Sequence, residues 1–334
     1  MAGGKERVLR RRIKSVQSTK KITRAMELIA ATRVAKAQQR VQAARPYSEQ
    51  ITSVIQHMAE AGGVSDHPLL SPATDVRKVA FVVITGDRGL AGAYNTNVIR
   101  AAERELQARR MEGQDYSLVL CGKKGVSYFR FRGFKIDAEF TGMSDTPTYE
   151  DARRVAERVR ELFESGEVQE VVLVYTRFLS VGTQRVTVRE FMPLTGVGAE
   201  GAAADTGLTA DFEFEPGPDV ILERLLPRYV EARLLAAMLD AAASEHAARQ
   251  RAMKSATDNA DELITKLSRV MNRARQDSIT TEIMEIVSGA EALRAGQAGG
   301  ADLLADNALR VADVVGHRDD RAQAHSHSHN HRHV

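Results

Sequence analysis

Tryptophan is absent from this chain of 334 residues, aromatics make up only 5% of it, and Cys121 is its single cysteine. One thiol cannot close an intrachain disulfide, so the fold must hold by packing alone, as expected in a reducing compartment. No stretch approaches the roughly 20 consecutive apolar residues needed to cross a bilayer. The opening MAGGKERVLRRRIKS has basic residues with no apolar core behind them, so no secretory leader is expected. Breakers are missing in two places: neither Pro nor Gly occurs from Lys5 to Arg45, and after Pro227 the next glycine is Gly289. Without breakers, and with Ala, Leu, Glu, Arg and Gln prevailing, both ends of the chain predict long helices.

The net charge of +3 conceals an asymmetry, because residues 5 to 45 hold 13 Lys or Arg against Glu6 and Glu27 alone. A helix there is a positive rod whose partner is an acidic protein surface, a nucleic acid or an anionic membrane, and charge does not choose among them. Its apolar residues Leu9, Ile13, Val16, Ile22, Met26, Ile29, Val34, Ala37 and Val41 recur at about helical spacing, with Pro46 either a bend or the start of a continuation through Ile51, Val54, Ile55 and Met58. In the closing helix, Met253, Ala256, Ala260, Leu263, Leu267, Val270 and Ala274 trace a heptad seam. A step of five then leads to Ile279, Ile283, Ile286, Ala290 and Leu293, which predicts a stutter. Two such helices flanking an inserted domain bury their stripes most economically as an antiparallel pair.

Between the helices the texture changes. KVAFVVIT (78–85), SLVLCG (117–122), EVVLVYTRF (170–178) and RVTVREFMPL (185–194) read as strands, with helical segments over 97–110 and 149–164 between them. That alternation predicts a mainly parallel sheet with covering helices. The breaker-rich segments 61–72 and 195–218 bound it, and the expected division is a helix over 1–60, an α/β domain over 75–215, a helix over 218–294 and a His-rich tail over 295–334.

Candidate chemistry is thin. Gly86, Gly89 and Gly92 follow a strand and open a helix, where backbone N–H groups can hold phosphate, but they form GxxGxxG in place of GxGxxG and no GK[ST] follows. Glycines for a tight turn and close helix packing explain them better. The positive rod could bind nucleic acid, yet it lacks aromatics to stack on bases apart from Tyr47 beyond it. The alternating His325, His327, His329, His331 and His333 can ligate a divalent ion only loosely in a tail with no other structural signal. No catalytic residue, cofactor or structural metal is assigned.

Two terminal segments and one internal turn point further. RRIKSVQSTKKITRAMELIAATRVAKAQ (11–38) resembles the opening helix of F-type ATP synthase gamma subunits of the bacterial type. ATDNADELITKLSRVMNRARQDSITTEIMEIVSGAEAL (256–293) resembles their closing helix, most specifically through Ile279, Thr280, Glu282, Glu285, Gly289 and Ala290. TGDRGLAGAYN (85–95) is similar to the family's first strand-to-helix turn, with Ala91 where Cys is common. The resemblance covers residues 1–294 and implies an antiparallel coiled coil of the N- and C-terminal helices carrying a central Rossmann-like α/β domain. It implies a non-catalytic rotor inside a collar of alpha and beta subunits, its foot on the membrane c ring with the epsilon subunit, at the cytoplasmic face of the cell membrane and with no nucleic acid. By the same match, Lys20, Lys21, Arg24, Met26, Arg275 and Gln276 face the collar, and Phe212, Glu213 and Phe214 lie near the c ring and epsilon. The stutter places Arg275 and Gln276 at the slip, where they are expected to face outward.

Overall fold

The computed structural model describes residues 2–60, 69–70, 72–194 and 217–296. The elements in order are α1 (Ala2–Glu60), β1 (Lys78–Ile84), α2 (Tyr94–Met111), β2 (Asp115–Cys121), α3 (Lys123–Phe131), β3 (Ala138–Phe140), α4 (Tyr149–Glu164), β4 (Glu170–Phe178), β5 (Gln184–Met192) and α5 (Pro218–Gly296). Pro46 and Pro227 lie inside α1 and α5 without ending them. The described chain falls into two compact units, one of α1 up to Gln17 with α5 from Glu262, the other running from Ser18 to Asp261.

In the larger unit the strands form one sheet in the order β3-β2-β1-β4-β5. The first four are parallel, with Val79 opposite Tyr116 on one side and Glu170 on the other, while β5 returns antiparallel along β4 as a half-exposed edge. Successive side chains alternate between faces, so each central strand feeds two cores. Val79, Phe81, Val83, Leu118 and Leu120 pack under α2 and α3. Ala80, Val82, Ile84, Val171 and Leu173 pack under α4, under Leu222 to Ala241 of α5 and against Ile51 and Ile55 of α1. Burial on both faces is why these strands are near-continuous apolar runs. The terminal helices thus supply part of the core under residues 75–194, and a boundary at residue 75 cuts through it. Helix α4 starts with a reciprocal cap, Thr148 accepting from the Asp151 N–H while Asp151 accepts from the Thr148 N–H. Two elements went unexpected, α3 and the three-residue β3.

Also in this unit, α1 and α5 run antiparallel, Lys20 pairing with Asp261 and the Thr23 hydroxyl 2.8 Å from that of Thr257. The inward positions of α1 are Lys20, Thr23, Glu27, Ala30, Val34 and Ala37 here, and Glu6, Leu9, Ile13 and Val16 in the smaller unit, within each in steps of three and four. Ile22 and Ile29, expected on that stripe, are 58% and 53% exposed. On α5 the inward positions are Met253, Thr257 and Ala260 here, and Ile264, Leu267, Met271, Ala274 and Ser278 in the smaller unit, again in steps of four and three within each. This corrects the expected seam: Leu263 and Val270 lie outside it, and there is no slip at Ala274. Counting apolar residues missed the true register because Thr257 and Ser278 occupy seam positions, Thr257 through its bond to Thr23. Beyond Ser278 most of the expected second stripe is solvent-facing, with Ile279, Ile283, Ile286 and Leu293 about half exposed or more and Ala290 half-buried, and Val287 beside it is exposed as well. In the smaller unit the most buried side chains are Ile13, Leu267 and Ser278.

Candidate coupling site

In doubly wound α/β folds, ligands lie outside the carboxyl ends of the strands, where the strand order reverses. Here the order reverses between β1 and β4, and α5 of the same chain runs across that position. Gly86, two residues past the end of β1, meets the Glu245 side chain directly: a Cβ at Gly86 would lie 2.8 Å from the carboxyl carbon. Glu245 is 1% exposed and pairs with Arg249 one turn later, whose guanidinium also donates to the Gly89 carbonyl at 3.3 Å. Burial raises the Glu245 pKa against the opposing pull of Arg249.

The backbone donors that would cradle a phosphate are already engaged. The Gly86 N–H donates to Asn95 Oδ1 at 2.8 Å and the Asp87 N–H to Ser144 Oγ at 2.8 Å. The Asp87 carboxylate itself accepts from the N–H groups of Lys123 at the start of α3 (3.0 Å), Gly142 (2.9 Å) and Ser144 (3.1 Å). Desolvation works to raise its pKa, but those three backbone bonds and the Ser144 hydroxyl prevail and hold it below the usual range. Asp87 thus stands where a bound anion would, tying the ends of β1, β2 and β3 together. The GxxGxxG turn is built for contact with a helix, and the carboxylates of Glu245 and Asp87 oppose a phosphate there.

Other loops grip the same stretch of α5. His246, 2% exposed, lies 3.1 Å from the Asp145 carbonyl through Nε2, and Asp145 in turn pairs with Arg33 of α1. Burial outweighs the opposing pull of Asp145 and lowers the His246 pKa, which favours the neutral ring. Ser244 Oγ donates to the Thr176 carbonyl at 3.2 Å, and Arg251 donates to the carbonyls of Val181 (2.8 Å) and Gly182 (3.1 Å) in the β4–β5 hairpin. Within about two turns, α5 is therefore fixed to three separate loops at the carboxyl end of the sheet. None of Arg33, Asp87, Asp145, Glu245, His246 or Arg249 stood out in the sequence. The available signal was SEHAAR (244–249), a charged cluster inside an alanine-rich helix.

The residues expected at a collar are placed differently. Lys20 sits in the seam and pairs with Asp261, while Lys21 is exposed. Arg24 is exposed and donates to both Glu27 oxygens at 2.9 Å, and Met26 is half-buried. In the smaller unit Arg275 and Gln276 are exposed beside the unbroken seam, so their outward direction follows from register and not from a slip. Phe212, Glu213 and Phe214 lie outside the described residues. Cys121 is buried and its pKa is pushed up to about 12 by burial, which keeps the thiol protonated. Among the described residues no helix is long and apolar enough to cross a membrane, and no group of three or more His, Cys, Asp or Glu is arranged to hold a metal.

The sequence profile of the ATP synthase family matches residues 5–293. An ATP synthase gamma chain from Frankia casuarinae is 50% identical over 297 residues, covering 88% of this chain and 99% of the relative. One from Streptomyces coelicolor is 46% identical over 303 residues, covering 89% and 99%. Among solved structures, a chain of the Euglena gracilis mitochondrial ATP synthase superposes with a TM-score of 0.63 at 20% identity, over 90% of this chain and 98% of its own length. A chain from the central stalk and c ring of the Tetrahymena thermophila mitochondrial enzyme gives 0.55 at 22% identity, over 70% and 99%. The two solved chains share the fold, and the sequence matches extend over nearly all the described residues: the chain belongs to the ATP synthase family, among its gamma chains.

Proposed function

We propose that this chain is the central-stalk rotor of an F-type proton-translocating ATP synthase, a non-catalytic subunit that couples proton flow through the membrane c ring to ATP synthesis on the alpha and beta subunits. It works at the cytoplasmic face of the cell membrane as a peripheral part of the complex, with the epsilon subunit and c ring at its foot. The observation that carries this reading is the double duty of α5, which is core to the α/β unit from Leu222 to Ala241 and then pairs with α1 at Thr257 and Asp261. A turning force applied to the sheet enters the helix pair without crossing a flexible joint, because Glu245, His246, Arg249 and Arg251 fasten the helix to three loops on the way.

Lys20, Lys21, Arg24, Met26, Arg275 and Gln276 are the proposed contacts with the alpha and beta subunits, the charged ones suited to acidic loops. Phe212, Glu213 and Phe214 are the proposed contacts at the c ring and epsilon. The complex assembled with and without this chain, in sealed vesicles, tests the reading. ATP-driven proton uptake should require the chain and return on adding it back. Uptake without it, or ATP hydrolysis by the purified chain alone, would overturn the assignment.

A further inference from the structure

In the larger unit α5 does not fill the whole of the crevice between β1 and β4 where the strand order reverses. On the α2 face a cavity of about 330 Å3 remains, within the range of small-molecule sites, roughly 300 to 1,000 Å3. Its walls are the first turn of α2, which follows β1, the carboxyl end of β4 with the adjoining β5, and part of α5. Doubly wound α/β sheets hold their ligands at this position. Two polar features of the wall are unmatched within the protein. Thr176 follows Val172 and Val174 on the strand face under α2, is 5% exposed and lines the cavity, yet its hydroxyl has no hydrogen-bond partner. Buried hydroxyls are nearly always paired, so this one points to a partner from outside the chain. The amino end of α2 is the second feature. Ala93 occupies the cap position, no side chain caps the helix and its first turn holds no acidic residue. The Tyr94 N–H donates to the Ala91 carbonyl and the Asn97 N–H to that of Ala93, but the N–H groups of Asn95 and Thr96 have no acceptor among the described residues.

The charge and texture of the walls decide what they suit. Arg251 is the one charged side chain among the described residues that line the cavity. Its hydrogen bonds go to the neutral oxygens of Val181, Gly182 and Gln184, which fix the guanidinium without cancelling its charge. No donor is asked of Arg251; it acts as a fixed positive charge beside the positive end of a helix. Glu245, on the same stretch of α5, is paired with Arg249. The remaining wall is small and largely apolar, with Val186, Ala248 and Ala252 in it. A bare inorganic ion would leave that apolar surface wet, and a multivalent one would exceed the single fixed charge. We propose that this crevice binds a small organic monocarboxylate. The carboxylate accepts from the amino end of α2 and from the Thr176 hydroxyl, and its apolar body rests on Val186, Ala248 and Ala252. The site is separate from the engaged donors of Gly86 and Asp87 and does not depend on the rotor assignment.

Saturation-transfer NMR of the purified full-length chain, titrated with butyrate at constant ionic strength, tests this. Saturable binding is expected. Butyramide, neutral and of nearly the same shape, should bind about tenfold more weakly, because hydrogen bonds to a charged group are the stronger ones. Thr176→Val removes the hydroxyl at nearly constant shape and should weaken butyrate about tenfold. The same variant should resist urea as well as wild type or better, since it no longer buries an unmatched group, and lost affinity with kept stability cannot arise from misfolding. Thr176→Ser should retain the affinity. Ala248→Leu should fill the cavity and abolish binding with helicity by circular dichroism unchanged. If Thr176→Val proves unstable, Ala248→Leu and the butyramide comparison decide. Equal binding of butyrate and butyramide, wild-type affinity in folded Thr176→Val or Ala248→Leu, or no saturable binding at all would each overturn the proposal. Inorganic phosphate competing as well as butyrate would show a bare anion site with no use for an organic body, and would overturn it too.

Discussion

Asp240→Asn should make the chain more stable near neutral pH, by an amount set by where the wild-type carboxyl lies. Burial raises the Asp240 pKa from the ordinary 3.8 to about 6, and the pull of Arg177, Arg189 and Arg45 offsets only part of it. The folded state therefore binds this proton more tightly than the unfolded state does. Wherever the native state holds more protons than the unfolded one, stability falls as pH rises. The contribution of this group is thus most favourable below about pH 4, declines as pH climbs from 3.8 towards 6, and is level above that. At roughly 1.4 kcal/mol for each tenfold change in proton affinity, the full effect is at most about 3 kcal/mol. Asparagine keeps the shape and never charges, so the variant should exceed wild type by up to that amount at pH 7.5 and by about half of it at pH 5. Urea unfolding of the full chain at several pH values, in buffer without phosphate, measures the difference directly. Other titrating groups, Glu245 and Glu170 among them, are common to both proteins and cancel in the comparison. Equal stability at pH 7.5, or a difference that does not change with pH, would refute the reasoning.

Three further substitutions probe other parts of the argument. Gly86→Ala puts a methyl group 2.8 Å from the buried Glu245 carboxyl carbon, and urea unfolding should show a loss of about 1–3 kcal/mol. Arg249→Ala leaves Glu245 buried without its cation; about 3–5 kcal/mol should be lost, and less at low pH, where a carboxyl of raised pKa takes up its proton. Arg275→Ala with Gln276→Ala should barely change helicity by circular dichroism, since both are exposed, yet should lower ATP turnover and proton pumping in reconstituted vesicles at matched complex content. Full pumping by that variant would remove the two residues from the proposed collar contact.

The sheet was legible because β1, β2 and β4 are buried on both faces and leave continuous apolar runs. Helix α4 was legible through its own pattern and the YED that follows its Thr148 cap. Helix α3 escaped notice because it spans nine residues starting straight after Gly122, and β3 because three residues, two half-buried about an exposed Glu139, are too few to show a period. The helix pair was correct in direction and misread in register. Its seam admits Lys20, Thr23, Glu27, Thr257 and Ser278, while Ile22, Ile29, Leu263 and Val270 point outward. A count of apolar residues drifts off such a stripe by one position and then requires a slip to recover. The grip on α5 was invisible for another reason: Gly86, Asp145 and Glu245 have meaning only where distant segments meet, and neither spacing nor composition records that meeting.

The residues that defeated the seam count are themselves informative. A two-helix rod free in water gains nothing from isoleucines on its outer surface, and large exposed apolar areas mark surfaces that something else covers. On α1 the outward set includes Ile22, Leu28 and Ile29; on α5 beyond Ser278 it includes Ile279, Ile283, Ile286, Val287 and Leu293. Polar groups at some seam positions and large apolar groups at some outer ones depart from the usual order of a soluble coiled coil. The seam polar groups are satisfied within the pair, Thr23 by Thr257 and Lys20 by Asp261, so the interior can do without a fully apolar stripe. The outer isoleucines have no directional partner to lose. Apolar contact depends on area and not on angle, so a rod turning inside a sleeve can exchange one such contact for the next at little cost, whereas a ring of fixed hydrogen bonds would hold it at one position. On that argument the apolar outer face is suited to act as a bearing, and the proposed contacts Lys21, Arg24 and Arg275, among the exposed charges, are suited to be points at which surrounding subunits would feel rotation.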